Sequence, residues 1–138
     1  MDTERTKLPI EENFTSDSLE NSETMAEFIV AILDSKKARD IKLLHVEKQT
    51  IIADYFVICT GNSRTQIRAL ADEIEYKLSA YNVTPKHTEG ADTGVWVLQD
   101  YGSVIVHIFN NESREFYKLD KLYMDTTERD ISSLITND

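Results

Sequence analysis

Three histidines, one cysteine, one glycine-containing turn and a single tryptophan are the residues of this chain whose types could do chemistry. His45, His87 and His107 would hold a metal if they shared ligand spacing with each other or with a cysteine or acid cluster. No pair has that spacing, and His107 lies inside the apolar run Val104–Phe109, so each is expected to be structural and no bound metal or other cofactor is expected. Cys59 stands among Val57, Ile58 and Thr60 with no nearby histidine to activate it. A buried thiol of this kind behaves as a small apolar group.

Two further groups invite a binding reading. Gly61-Asn62-Ser63 lies between a candidate strand and a candidate helix, where free N–H groups and the helix dipole converge on an anion. Arg64 and Arg68, one turn apart, could assist, but the turn carries neither GxGxxG nor GxxxxGK[ST], and a helix cap explains it more simply. Trp96, Asp100 and Tyr101 sit at or beside a candidate hairpin, with Glu89 and Asp92 close by in sequence. Aromatic anchors ringed by polar groups concentrate binding energy at interfaces. The alternative is that Trp96 belongs to the core and Asp100 only forms a turn.

These residues need elements to position them. Thr24 and Glu27 have the spacing of a capping box, and Met25, Phe28, Ile29, Ile32 and Leu33 follow at helical period. Ile41–Glu47 and Ala53–Thr60 read as strands, the second apolar enough to be covered on both faces. Ser63 and Gln66 open a second helix that runs to about Ala80 on Ile67, Leu70, Ala71, Ile74 and Leu78. Thr84–Glu89, with Pro85 near its start, suits an edge strand. Trp96–Gln99 and Ser103–Phe109 read as a hairpin turning at Asp100-Tyr101-Gly102. Asn110–Tyr123 predicts a short closing helix with Phe116, Leu119 and Leu122 inward. The order implies an α/β domain, a mixed sheet of about five strands packed by helices.

Composition bounds the rest. At 138 residues there is room for one domain, and one cysteine excludes an intrachain disulfide. Residues 1–23 show no periodicity and read as an acidic disordered leader, followed by a domain over 24–124 and an acidic tail over 125–138. Of the net charge of −10, residues 1–24 hold seven acids against two bases and residues 125–138 four against one. Nucleic-acid binding needs an excess of Lys and Arg, which is lacking; a basic protein partner suits the charge better. No stretch is apolar enough for a membrane span, and the N-terminus resembles neither a signal nor a transit peptide, so a bacterial-type cytoplasm is expected.

Three blocks in order, ADYFVICTGNSRTQIRALADEIE (53–75), TGVWVLQDYGSVIVHIF (93–109) and SREFYKLDKLY (113–123), closely resemble the ribosomal silencing factor, or Iojap-like, family. The resemblance implies a nucleotidyltransferase-like fold used for binding rather than catalysis. It implies attachment to large-subunit ribosomal protein fourteen on the large ribosomal subunit, a block to small-subunit joining, and repression of translation when nutrients are scarce. It assigns partner contact to Trp96 and to the hairpin residues Asp100, Tyr101 and Gly102. Many members carry an acid where this chain has Ser103, which changes the charge of the hairpin. The transferases need a carboxylate pair after the Gly-Ser turn to hold Mg²⁺; here Ser63 is followed by Arg64, Thr65 and Gln66, so no enzyme activity is expected. The alternatives are a factor for large-subunit biogenesis and a nucleotide-using transferase. A monomer or weak homodimer fits the chain.

Overall fold

The computed structural model describes residues 7–119 and 127–136. Among them, helix α1 spans Ser22–Ser35, strand β1 Arg39–His45, β2 Tyr55–Thr60, α2 Arg64–Ser79, β3 His87–Glu89, β4 Trp96–Asp100, β5 Val104–Phe109, α3 Asn111–Tyr117 and β6 Thr127–Glu128. The sheet runs β3-β4-β5-β2-β1-β6. Only β2 and β5 pair in parallel, which makes the sheet mixed. Five strands match the expectation, and a two-residue sixth extends the β1 edge.

Period-two alternation divides the sheet into two faces. Tyr55, Val57 and Cys59 of β2 and Val104, Val106 and Ile108 of β5 pack under α1 and α2, together with Phe28, Ile32, Ile67 and Leu70. Phe56, Ile58, Ile105 and Phe109 form a second, smaller core on the opposite face, where Trp96, Leu98 and Leu119 lie against it. Every residue of β2 and β5 is buried, as a central pair covered on both sides requires.

Helix boundaries follow their caps. Ser63 Oγ accepts from the Gln66 N–H at 3.0 Å and opens α2 as expected. α1 begins earlier than Thr24, because Asn21 Oδ1 accepts from the Thr24 N–H at 2.9 Å and makes Ser22 the first helical residue. The closing helix ends at Tyr117, where Lys118 takes a left-handed conformation with φ +48°. The remainder expected to be helical beyond Leu119, including Leu122, lies outside the described residues.

The leader is not disordered over residues 7–21. Short 3-10 turns at Pro9–Glu11 and Ser16–Glu20 lay it across the helical layer. Phe14 meets Phe28 edge to face at 5.1 Å, and Leu19 is buried in the main core. Glu11 accepts from the Leu8 N–H at 2.8 Å, the Tyr81 hydroxyl at 2.7 Å and Lys77 Nζ at 3.4 Å. Burial opposes ionisation of its carboxyl, but these donors and the Lys77 charge outweigh it and hold the pKa below the usual range. The tail folds back as well. Ile131, Leu134 and Ile135 pack on the main core, Arg129 pairs with Glu23, and the N–H and hydroxyl of Thr136 both donate to Asp34 at 3.1 Å. Composition shows the charges of these segments but not the few apolar residues that attach them singly.

Candidate partner interface

The start of β4 is fixed from three directions. Gly90, at φ +83°, brings the preceding loop against the Trp96 carbonyl. Arg68 donates to the carbonyls of Ala91 and Asp92 at 3.1 and 2.7 Å. Ser113 of α3 donates its hydroxyl to the Val95 carbonyl at 2.6 Å. α3 is itself tied to the sheet, since Arg114 donates to Thr60 Oγ1 at 2.8 Å and Arg39 donates to Asn111 Oδ1 at 2.7 Å.

Trp96 emerges from this frame half-buried. Its ring stacks on Phe109 with centroids 5.0 Å apart and meets Tyr117 at 4.5 Å. Its indole N–H donates to His107 Nδ1 at 3.2 Å. Beside it Tyr117 is 49% exposed, and Phe116, whose ring meets Tyr117 at 5.0 Å, is 78% exposed. Exposed apolar groups that adjoin one another mark an interaction surface more often than scattered ones do. Phe116 was expected to point inward. It lies two residues past Arg114, about 200° round the helix, so when Arg114 faces the sheet Phe116 faces away.

The hairpin residues assigned with Trp96 lie elsewhere. Trp96 and Asp100 occupy the two ends of β4, about 13 Å apart along the strand. Asp100 Oδ1 accepts from the Gly102 N–H at 2.7 Å, and Gly102 sits at φ +91°, so both shape the turn while remaining partly exposed. Tyr101 is only 6% exposed and packs in the main core, with its hydroxyl donating to Gln99 Oε1 at 3.2 Å. It therefore cannot present its ring to a partner in this conformation. The alternation of β4 carried past its end, with Val97 and Gln99 inward, already pointed Tyr101 to that side. Beside the turn, the β1–β2 loop is held by Asp54 N–H donating to the Ser103 carbonyl at 2.7 Å, and it exposes Ile51 and Ile52.

The other candidate chemistry is absorbed by structure. His45 and His87 pair with Glu47 and Glu89 two residues away. Cys59 is buried, and desolvation pushes its thiol up to about 12. At the Gly61-Asn62-Ser63 turn, Gly61 N–H donates to the Phe109 carbonyl and Asn62 N–H to Gln66 Oε1, so the cap uses the groups an anion would need. Among the described residues no three His, Cys, Asp or Glu side chains gather to hold a metal, and no helix is long and apolar enough to cross a membrane.

Residues 19–138 match the family model described as "Ribosomal silencing factor during starvation". The chain is 39% identical over 111 residues to the ribosomal silencing factor of Bacillus subtilis, covering 80% of this chain and 94% of that one. It is 31% identical over 103 residues to a mouse protein named for mitochondrial assembly of the ribosomal large subunit, covering 70% of this chain and 44% of that one. A crystal structure of a Chromobacterium violaceum protein superposes with a TM-score of 0.72 at 30% identity, covering 75% of this chain and 86% of that one. The chain belongs to the ribosomal silencing factor family.

Proposed function

We propose that the chain binds the large ribosomal subunit through large-subunit ribosomal protein fourteen and sterically prevents the small subunit from joining, which represses translation under nutrient limitation. The observation that carries this reading is the fixed Trp96 ring at a surface where Phe116 and Tyr117 stay exposed. A rigid aromatic in an apolar patch is the usual form of a binding hot spot. The net charge of −10 suits a basic protein target better than rRNA. Asp100 and Gly102, with Ile51 and Ile52 beside them, form a second, smaller contact at the far end of β4; Tyr101 supports that turn from within. The fold is nucleotidyltransferase-like in descent, and Arg64, Thr65 and Gln66 stand where its carboxylates would be. The protein works in a bacterial-type cytoplasm as a monomer or weak homodimer.

The test is subunit joining followed by light scattering, with the protein preincubated on the large subunit. Joining is expected to fall in proportion to occupancy, and Trp96→Ala should cost about 2 kcal/mol of affinity or more. Undiminished joining at saturating protein refutes the steric block. A second reading, a factor for large-subunit assembly, is favoured by the name of the mouse relative, and it predicts binding to large-subunit precursors in preference to mature subunits.

A further inference from the structure

We propose that His107 is the positioning residue of this interface, holding the Trp96 indole in one of its two ring orientations through the Nε1–H···Nδ1 bond. The inference rests on the reading of Trp96 as the anchor. The indole N–H can only donate, so Nδ1 must accept, and the proton of the neutral imidazole sits on Nε2. That Nε2 is buried, and among the described residues no hydrogen-bond partner reaches it. His107 itself is 5% exposed, directly across from Leu98 in register and between Phe56 at 5.0 Å and Phe109 at 6.2 Å. An apolar side chain would suit such surroundings without stranding a donor, since a buried unpaired N–H is destabilising. The bond to Trp96 is the one thing this imidazole does that an apolar residue could not.

That bond adds a polar, directional contact to the packing of the ring. Phe109 and Tyr117, 6.5 Å from each other, meet the indole from two adjoining directions and hold its plane. Turning the ring over about its Cβ–Cγ bond would carry the N–H away from Nδ1, so the bond favours the observed orientation over the reversed one. With Nδ1 accepting, the N–H edge faces the core and the outward edge of the ring is constant. The surface is then preorganised, and a partner need not select one ring orientation on binding.

Trp96 is the only tryptophan, so its emission and anisotropy report its own surroundings directly. His107→Leu and His107→Asn are measured for tryptophan fluorescence, and both are measured for affinity to purified large subunits together with Trp96→Phe, Trp96→Ala and the His107→Leu/Trp96→Phe double variant. His107→Leu should lower the anisotropy of Trp96 and weaken binding by about tenfold. Asn places an oxygen near the Nδ1 position and should restore most of both. In the Trp96→Phe background, which has no N–H, adding His107→Leu should change affinity by less than about twofold. Unaltered anisotropy in a folded His107→Leu protein overturns the positioning role whatever the partner does. Lowered anisotropy with unchanged affinity, while Trp96→Ala loses binding, also overturns it but leaves the anchor reading intact. If Trp96→Ala binds normally, the anchor reading itself fails. Should His107→Leu not fold, His107→Asn and His107→Gln decide: Gln directs its oxygen towards the Nε2 position, and equal behaviour of the two refutes a role for the Nδ1 bond.

Discussion

The carbonyl oxygen of Trp96 occupies the space beside Gly90 so closely that a β-carbon built on Gly90 would stand 1.9 Å from it. Gly90 also takes φ +83°, a region that L side chains rarely adopt. Steric and conformational constraints therefore coincide at the residue that sets where β4 begins. Gly90→Ala should destabilise the fold by about 2 kcal/mol or more, read as a lowered urea midpoint. Because the displaced atom belongs to Trp96, binding to the large subunit should weaken even at temperatures where the variant stays folded.

Phe116 gives the opposite separation of stability from function. Its ring is largely in solvent, so Phe116→Ser should change stability by less than about 0.5 kcal/mol in chemical denaturation. If α3 belongs to the contact face, the same substitution should weaken association with the large subunit measurably. Unchanged binding would move the interface away from α3.

His107 makes stability depend on pH in a defined window. Burial lowers its pKa from the ordinary histidine value of 6.5 to about 4, so the unfolded chain takes up a proton that the folded chain refuses. Its contribution is therefore complete above pH 6.5 and declines as pH falls towards 4, by up to about 3 kcal/mol. Thermal melts of the parent protein across that interval should show the loss, and a folded His107→Leu variant should show a shallower slope. Equal slopes would place the acid lability in other groups.

Glu11 should matter although it precedes the segment matched by the family model. Glu11→Ala removes the acceptor shared by the Leu8 N–H, the Tyr81 hydroxyl and Lys77, and should cost about 2 kcal/mol in thermal or urea unfolding. Proteolysis should then cut residues 7–20 earlier than in the parent. A leader that makes no stabilising contact would give identical midpoints and cleavage rates.

What could be read from the chain depended on repeating signals. β2, the β4–β5 hairpin and the α2 cap were legible because alternation, turn residues and Ser63 with Gln66 each repeat a pattern that local physics enforces. Trp96 stands out by its type, but its neighbours carry weaker signals. Tyr117 carries no periodic signal, and a seven-residue α3 is too short to say which of its aromatics faces the sheet. Tyr101 was placed at the turn because Gly102 follows it, when the strand's alternation had already sent it inward. His107 was recognised as a core residue, yet its bond to Trp96 depends on strand register, which no local window contains.

Thr136 bonds Asp34 across 102 residues of chain. A polypeptide emerging from the ribosome that makes it can complete α1 and start β1 long before residue 136 has been joined. Until then the end of α1 lacks the segment that lies over it in the finished fold. That contact forms only after everything between Asp34 and Thr136 has been translated, so the end of α1 matures later than its own synthesis.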